Sequence, residues 1–420
     1  MKKDKAATLT IPTTDDSSEL RVNDRVSALD RWLARKVLES LGTPPIALVL
    51  WNGEEIRAGS NIPITRVRLQ DRAAFYQLLL NPSLHFGDLY SVGRIEVEGD
   101  LLQFLDAAYS GVRNDDEGSL LKRLHAVLRK RARTNTLAGS REHISHHYDI
   151  GNPFYELWLD REMQYTCAYF PDPAMTLEKA QLAKMEHVCR KLQLKPGDRV
   201  VEAGCGWGGL ARYMAREYGA RVHAFNISKE QIAYARERAK AEGLSGKIEY
   251  VEDDYRNISG EYDVFVSVGM LEHVGPEHYV GLGGVIHHAL TPHGRGLIHS
   301  IGRNQPELMN EWIEKRIFPG AYPPTLREIM DIFEPHGFSV LDVENLRLHY
   351  ALTLRHWLER FDRNEKRVES MLDQNFVRAW RLYLAGSMAA FTTSSLQLFQ
   401  VAFTRGRNNN LPWSRAALYK

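Results

Sequence analysis

A stretch in the middle of the chain, Val200–Gly209 with the sequence VVEAGCGWGG, has the composition of a nucleotide-binding turn. Gly204, Gly206 and Gly209 spell G-x-G-x-x-G, the turn that places a dinucleotide pyrophosphate at a helix N-terminus. The same stretch spells G-x-G-x-G behind the acidic Glu202, the usual first turn of an S-adenosylmethionine enzyme. The glycines alone therefore indicate a nucleotide but do not decide which one.

The ends of the following strands distinguish the two nucleotides. A dinucleotide fold typically has an acidic residue about 20 residues past the glycines, which holds a ribose hydroxyl. Here the second strand ends in Asn226, which weakens that interpretation. Asp253 and Asp254 end the third strand, where an adenine amino group can be recognised, and Ser267–Gly275 (SVGMLEHVG) ends the fourth. That last string suits a methyl-transfer site, so the set of strand ends favours S-adenosylmethionine.

Strand and helix patterns alternate from about residue 140 onward. After the Pro196-Gly197 breaker, the segments are VVEAGCG, LARYMAREYG, RVHAFNI, SKEQIAYARERAKAEG, KIEYVEDDY, YDVFVSVGMLEHV and RGLIHSIG. Ser228 and Gln231 predict a capping box at the start of one helix. The alternation predicts an α/β fold with a doubly wound, mostly parallel sheet that binds ligands at the carboxyl ends of its strands.

The N-terminal part predicts a smaller α+β domain over residues 21–118. A helical period in SALDRWLARKVLESLG precedes the strand-like IALVLWNGEEIRAG, whose Asn52-Gly53 pair is a hairpin signal. Residues 1–20 are polar and lack an apolar core segment, so we expect a disordered tail and not a signal peptide. The larger α/β domain would occupy residues 140–420.

Residues 119–139 between these domains predict a basic linker helix. Its cationic residues are Lys122, Arg123, Arg129, Lys130, Arg131 and Arg133. One interpretation is a solvated helix that packs its leucine stripe on a neighbour. The alternative is an amphipathic helix on an anionic membrane, where each basic residue contributes about 1 kcal/mol.

Composition excludes several classes of protein. A chain of 420 residues with 44% hydrophobic residues can bury a large core. Its formal net charge of +1 argues against a general nucleic-acid binder. Three scattered cysteines suffice neither for a disulfide framework nor for a structural zinc site. Apolar runs such as Ile46–Trp51 are too short to span a bilayer, so we expect a soluble protein of a reducing compartment.

Six segments resemble the cyclopropane-fatty-acyl-phospholipid synthase family, in the family's order, from about residue 140 to the end. They are His146–Phe170, Val200–Gly209, Asn226–Gln231, Ser267–Gly275, Ile298–Gly302 and His349–Phe361. More loosely, the N-terminal domain resembles the lipid-facing domain of the bacterial synthases. The resemblance implies a class I methyltransferase fold and methylene transfer from S-adenosylmethionine to an unsaturated phospholipid acyl chain. It also implies a cytoplasmic, peripherally membrane-bound enzyme and is compatible with a homodimer.

The resemblance further implies a bicarbonate site. Methylation of an alkene builds a carbocation, which needs an apolar pocket, aromatic faces and a base, and in this family the base is a bound bicarbonate ion. Its site would consist of Cys167, Glu272, His299, Ile301 and Tyr350. Glu272 would accept from the bicarbonate hydroxyl, and His299 and Tyr350 would donate to its oxygens. Cys167 and Ile301 would contribute mainly backbone groups.

The methyl donor would occupy a second set of residues. Two would cover its methionine end, three would form the turn behind the acidic residue, and the others would line its ribose and adenine. In that order they are Tyr165 and Thr166, then Gly204, Cys205 and Gly206 behind Glu202, then Asn226, Ile227, Ser228 and Gln231, and finally Asp254 and Tyr255.

Each of these residues also has an ordinary structural interpretation when it is taken singly. Cys167 could be a small buried hydrophobe, His299 a satisfied core histidine, Glu272 a helix-start residue and Tyr350 a half-buried tyrosine. Their joint occurrence at family positions favours the site. One departure is Ser387 in LAGSMAAF, where many relatives carry a cysteine. A serine cannot replace a thiolate nucleophile, so covalent catalysis at this position is excluded.

Three alternatives stay open. The carbocation could lose a different proton after a hydride shift, which would yield a methylene or methyl branch in place of the cyclopropane. Small-amine N-methylation is known in plant relatives and would need no lipid-binding N-terminal domain. A catalytically inactive lipid-binding protein is the third alternative, and the presence of Glu272, His299 and Tyr350 argues against it.

Overall fold

A computed structural model describes residues 25–59, 62–114 and 150–419. Contacts divide the chain into two compact units. The described residues of the first unit come from 1–133, 308–319 and 357–395, and those of the second from 134–307, 320–356 and 396–420. The sequence-based boundaries instead placed all of 140–420 in one domain. The predicted tail 1–20 and the predicted linker helix 119–139 lie outside the described residues. Within the described ranges, no helix is long and apolar enough to cross a membrane.

A four-stranded sheet forms one part of the first unit. Its strands are β1 (Ile46–Val49), β2 (Glu55–Ile56), β3 (Thr65–Leu69) and β4 (Ile95–Glu98), in the order β2-β1-β3-β4. β1 and β2 pair antiparallel around Gly53, whose φ of +86° suits glycine, so the predicted hairpin is confirmed. Burial alternates along β3, with Thr65, Val67 and Leu69 facing inward.

Four N-terminal helices accompany this sheet. They are α1 (Ala28–Ser40), α2 (Arg72–Leu80), α3 (Pro82–Ser91) and α4 (Leu101–Asn114). α1 begins with a capping box in which the Ser27 hydroxyl accepts from the Asp30 amide and the Asp30 carboxylate accepts from the Ser27 amide. The other Asp30 oxygen accepts from the Tyr76 hydroxyl at 2.9 Å and from Arg72 at 3.2 Å, which joins α1 to α2.

The second unit contains a seven-stranded sheet. Its strands are β5 (Arg199–Ala203), β6 (Arg221–Asn226), β7 (Ile248–Glu252), β8 (Tyr262–Val268), β9 (Leu290–Gly302), β10 (Phe338–Asn345) and β11 (Gln397–Arg405). The order is β10-β11-β9-β8-β5-β6-β7. Five neighbouring strands of this sheet, β9, β8, β5, β6 and β7, are parallel to one another. β11 runs antiparallel to both of its neighbours, β9 and β10. The predicted doubly wound, mostly parallel sheet is confirmed.

Helices cover both faces of this sheet. They are α5 (Asn152–Tyr155), α6 (Leu177–Lys191), α7 (Gly209–Glu217), α8 (Lys229–Ala241), α9 (Tyr279–Ala289) and α10 (Leu326–Ile329). One apolar cluster includes Met185, Leu210 and Ile232 from α6, α7 and α8. The other includes Leu282 from α9 and Phe333. Because both faces are covered, the central strands are apolar along most of their length.

The C-terminal helices are α11 (Arg347–Arg363), α12 (Glu365–Met371) and α13 (Gln374–Thr392). Residues 357–395 belong by their contacts to the first unit, as do residues 308–319. Arg316 pairs with Asp88 at 2.9 Å. Arg378 of α13 donates to the Tyr90 carbonyl at 2.6 Å and lies 4.5 Å from the centre of the Tyr90 ring. The first unit is therefore assembled from distant parts of the sequence, and Ser387 on α13 belongs to it.

Gly87 should not tolerate a side chain, whereas Gly386 should. Both lie in helices of the first unit, but a Cβ on Gly87 would overlap the ring of Trp312, and a Cβ on Gly386 meets nothing within 4 Å. We expect Gly87→Ala to lower the free energy of unfolding by about 1–3 kcal/mol through overpacking. Gly386→Ala should leave it unchanged or raise it by up to about 1 kcal/mol. Urea titration checks both variants, and equal stability would contradict the packing of Trp312 on α3.

Candidate active site

The glycine turn joins β5 to α7 at the carboxyl end of the sheet. The Gly204 and Cys205 amides both donate to the Phe225 carbonyl, at 2.9 and 3.0 Å, so the turn is pinned to β6. A Cβ on Gly204 would lie 2.9 Å from the Cβ of Met270, in the segment after β8. A Cβ on Gly206, where φ is +53°, would meet nothing within 4 Å. Gly204 therefore serves close packing, and the side of the turn at Gly206 is open.

Polar residues after β6 hold this turn from the other side. The Asn226 side-chain amide donates to the Gly206 carbonyl at 3.3 Å and to the Gln231 side-chain oxygen at 2.8 Å, and its oxygen accepts from the Ser228 amide. Only half of the predicted capping box forms. Ser228 accepts from the Gln231 amide at 3.4 Å, but the Gln231 side chain bonds Asn226 instead. Ile227 lies in this same connection between β6 and α8.

The predicted adenine-side residues follow β7. Asp254 is buried, and its carboxylate accepts from the Arg256 guanidinium at 2.7 and 3.0 Å. The same guanidinium lies 5.4 Å from the centre of the Tyr255 ring. Burial raises the pKa of the Tyr255 hydroxyl to about 12, so it is neutral at ordinary pH. Sequence reasoning missed Arg256, which holds the Asp254 carboxylate in place.

Thr166 is held by two side chains of α6 that sequence reasoning also missed. The buried Lys184 ammonium donates to the Thr166 hydroxyl at 2.9 Å and to the Gln164 side-chain oxygen. The Gln181 side chain donates to the Thr166 carbonyl at 2.9 Å. Gln181 and Lys184 lie on the buried face of α6. The sequence did carry a signal for these two residues, because a glutamine and a lysine occupy positions of the helix at which an apolar stripe is expected.

Buried charges lie beneath the turn and Thr166. One oxygen of the Glu202 carboxyl has no hydrogen-bond partner among the described residues. Burial raises the pKa of Glu202 to about 7, an effect that the cations of Lys184 and Arg212 oppose. Burial lowers the pKa of Lys184 to about 8, and the Asp160 carboxylate opposes that change. Burial thus moves both groups towards their neutral forms.

An aromatic cluster surrounds Tyr165. The centre of its ring lies 5.6 Å from that of Tyr155 and 5.2 Å from that of Trp158. Tyr155 also contacts Trp207 of the glycine turn at 5.0 Å, and the Trp207 indole donates to the Asn152 side-chain oxygen at 2.7 Å. The cluster therefore connects the predicted methionine-end residue to the turn through aromatic faces.

Three residues of the predicted bicarbonate site lie near the carboxyl ends of β8 and β9. Glu272 lies in a short 3₁₀ turn after β8, and its Oε1 accepts from the Ile301 amide at 2.6 Å. Its Oε2 and the Nε2 of His299 both lack a hydrogen-bond partner within the described part of the chain. Burial raises the pKa of Glu272 to about 7 and lowers the pKa of His299 to about 3. The imidazole is thus neutral, and the carboxyl titrates near neutral pH.

Cys167 and Tyr350 lie around the start of α11. The Cys167 thiol donates to the Ala168 carbonyl at 3.1 Å and lies 4.0 Å from the Leu346 carbonyl. That Leu346 carbonyl accepts from the Tyr350 amide at 3.2 Å. Burial raises the pKa of Cys167 well above its usual range, so the side chain is a thiol and not a nucleophilic thiolate.

Gly269, at the end of β8, links the two sets of residues. Its amide donates to the His299 carbonyl at 2.9 Å. A Cβ on Gly269 would lie 3.0 Å from the Thr166 side chain, and the next residue, Met270, packs against Gly204. All of the predicted site residues belong to the second unit. The donor residues and the Glu272–His299 pair therefore share one edge of the sheet.

The family model described as mycolic acid cyclopropane synthetase matches residues 135–401. The chain belongs to this family. A separate model, for a domain of unknown function, matches residues 33–116. The family match spans both the glycine turn and the Glu272–His299 pair.

Several relatives support this membership. A probable fatty acid methyltransferase from Pseudomonas putida is 36% identical and covers 90% of this chain and 96% of its own. The cyclopropane-fatty-acyl-phospholipid synthase of Escherichia coli K12 is 43% identical over 64% of this chain and 69% of its own. A solved mycolic acid cyclopropane synthase in complex with SAH and CTAB has a TM-score of 0.60 at 26% identity, over 63% of this chain and 98% of that chain. The chain is an S-adenosylmethionine-dependent methyltransferase.

Gly206→Val should prevent tight binding of S-adenosylmethionine. Its side chain would project into the open side of the turn, where the donor is expected. We expect at least a tenfold loss of affinity by calorimetry. Gly243→Val is the matched control, because Gly243 also has a positive φ (+69°) and open space but lies beyond α8. Normal affinity in Gly206→Val, or equal losses in both variants, would contradict the placement of the donor.

Glu272→Gln should stabilise the protein at alkaline pH. The native pKa of about 7 exceeds the ordinary 4.5, so the stability that this proton provides is lost as pH rises through 7. Glutamine carries no charge and can still accept from the Ile301 amide. In bicarbonate-free buffer we expect a gain of about 1–3 kcal/mol at pH 8 and little change near pH 5. The exposed Glu277→Gln is the control, and an unchanged unfolding midpoint at pH 8 for Glu272→Gln would contradict the burial of this carboxyl.

Proposed function

We propose that the protein transfers a methylene group from S-adenosylmethionine to the cis double bond of an unsaturated phospholipid acyl chain and forms a cyclopropane. The observation that carries this proposal is the burial of Glu272 and His299, which lie near the carboxyl ends of the neighbouring strands β8 and β9. Each has one polar atom without a partner among the described residues, next to the end of β8. The Escherichia coli relative, named a cyclopropane-fatty-acyl-phospholipid synthase, supports the choice of substrate.

The unpartnered atoms fit a bicarbonate ion. A bicarbonate ion presents one hydroxyl donor and several oxygen acceptors, so it needs both an acceptor and a donor from the protein. Glu272 Oε2 supplies an acceptor when its carboxyl is ionised, and the neutral His299 imidazole supplies a ring nitrogen. Tyr350, Cys167 and the Ile301 backbone would complete the site. When bound, bicarbonate would supply the base that removes a proton as the ring closes.

The donor site fits S-adenosylmethionine by the same test, because the turn is open at Gly206 and one Glu202 oxygen has no partner among the residues that the structure describes. When bound, this cofactor would supply an electrophilic methyl group. Tyr165 and Thr166 would orient its methionine end, and the glycines would permit close approach of the backbone. Asn226, Ile227, Ser228 and Gln231 would lie along the ribose, and Asp254 and Tyr255 along the adenine.

The surroundings of Tyr165 suit a reaction that develops positive charge. Aromatic faces stabilise cations most strongly where water is excluded, and Tyr155, Trp158 and Trp207 are buried in this cluster. The thiol of Cys167 is un-ionised, so it would not compete with the alkene for the methyl group. The protein's own residues thus position the reactants, exclude water and orient the base.

We favour the cyclopropane product over a methylene or methyl branch. A complete bicarbonate site would place a base beside the newly added methyl group, from which the proton must leave for ring closure. The one G-x-G-x-x-G string of the sequence is the turn assigned to S-adenosylmethionine, so no second fingerprint is left for a flavin or nicotinamide, and a saturated methyl branch would need a reductant from elsewhere. We propose further that the enzyme acts at the cytoplasmic surface of a membrane, where such phospholipids are found.

The test is incubation with vesicles of an unsaturated phospholipid and methyl-labelled S-adenosylmethionine, followed by analysis of the acyl chains. Cyclopropane and exomethylene products have the same mass, but only the exomethylene takes up hydrogen over a catalyst under mild conditions. We expect labelled chains that resist hydrogenation. Uptake of one equivalent of hydrogen would overturn the cyclopropane assignment, and the absence of labelled chains would overturn the lipid substrate. Glu272→Gln is the control, with turnover about 10²–10⁴-fold lower and unchanged donor affinity.

A further inference from the structure

We propose that Gln400 is a positioning residue that fixes His299 in the tautomer with its proton on Nε2, so that the imidazole donates into the active site. The tautomer is inferred from the side-chain pairing between β9 and β11, the burial of both side chains and the anion that the site is proposed to bind. Its effect on turnover rests on the proposed bicarbonate-dependent function.

The two side chains form a cross-strand pair. Gln400 and His299 are direct partners in the antiparallel register of β11 and β9. The side-chain nitrogen of Gln400 lies 3.0 Å from Nδ1 of His299, and both residues are almost completely buried. β9 pairs with β8 on its other side, so the ladder holds both backbones in place.

Because the His299 ring is neutral, its single proton lies on either Nδ1 or Nε2. Burial, together with the ammonium groups of Lys184 and Lys191, lowers its pKa to about 3, and the Glu344 carboxylate only partly opposes this change. A neutral imidazole has one nitrogen that donates and one that accepts. Whichever group bonds Nδ1 therefore decides what Nε2 can do.

The Gln400 amide can face Nδ1 in two orientations. With its NH₂ group towards Nδ1, the side chain uses one amide proton, and its oxygen and its other amide proton have no partner among the described residues. In the reversed orientation, the oxygen would accept from Nδ1, and two buried amide protons would be left without partners. Unpaired buried donors are rarer in proteins than under-used carbonyl oxygens. Once an anion accepts from Nε2–H, this orientation leaves one unpaired amide proton and the reversed one leaves two, so we assign the NH₂ group to face Nδ1 and the ring proton to Nε2.

This tautomer gives the site a donor and an acceptor. Nε2–H of His299 and the ionised carboxylate oxygen of Glu272 would match an oxyanion that carries one hydroxyl. With the other tautomer, both protein atoms would be acceptors, and an anion would be repelled. Gln400, which contacts neither the anion nor the lipid in this proposal, thus determines whether the site can hold the base.

The tautomer can be measured by ¹H–¹⁵N correlation spectra of protein with labelled histidines. The His299 signals are assigned by their loss in His299→Gln. We expect a protonated Nε2 and an unprotonated Nδ1 in the unsubstituted protein. In Gln400→Glu, an almost isosteric change, the carboxylate can only accept, so Nδ1 should become protonated. A protonated Nδ1 in the unsubstituted protein, or unaltered His299 signals in Gln400→Glu, would overturn the proposal.

Turnover provides the second readout. Gln400→Met removes the hydrogen bond but keeps a similar side-chain volume. We expect a 10- to 100-fold lower kcat, which is typical of losing a partner that orients a histidine. We also expect a higher KM for bicarbonate and an unchanged affinity for S-adenosylmethionine. Gln397→Met is the matched control, because Gln397 is also buried on β11 but accepts from Asn345 at 2.8 Å. Equal loss in both variants would overturn a positioning role. If the unsubstituted enzyme needs no bicarbonate, the proposed function fails, while the tautomer measurement still decides the role of Gln400.

Discussion

The hydrogen bond from the Ile301 amide to the Glu272 carboxylate is the contact on which the candidate site depends. It ties the turn after β8 to the end of β9, two strands that also pair in parallel with Val268 opposite His299. The carboxyl and the imidazole are therefore carried to the same edge of the sheet by one register. A carboxyl buried at this position needs such a donor, because its desolvation is costly.

Burial moves the titratable groups of the site towards their neutral forms. Glu202 and Glu272 have raised pKa values, and Lys184 and His299 have lowered ones. This pattern is typical of functional sites, and it suits the proposed reaction, in which water and stray nucleophiles would capture a carbocation. Lys184 acts on both parts of the site, since its positive charge opposes the neutralisation of Glu202 and its amino group donates to the Thr166 hydroxyl.

The first unit shows a different constraint, which is that a small sheet needs more apolar cover than its own segment provides. The local elements of residues 25–114 follow the sequence patterns, including the hairpin at Gly53 and the alternation in β3. Segments 308–319 and 357–395 complete the unit through contacts such as Trp312 at Gly87 and Arg378 at Tyr90. The doubly wound sheet, in contrast, obtains cover from helices that lie next to its strands in sequence.

The sequence by itself determined the alternation of strands and helices, the glycine turn and the identity of the residues at the strand ends, because periodicity and turn chemistry are local properties. The tertiary structure alone decided which of those residues meet. The pairing of Gln400 with His299 joins positions about a hundred residues apart and depends on strand register, and the bond from Lys184 to Thr166 depends on how α6 packs. The half-formed capping box has a local cause, since the Gln231 side chain bonds Asn226, five residues before it, and not the Ser228 amide. The sequence gives the type of each side chain, but strand register and helix packing determine which side chain it contacts.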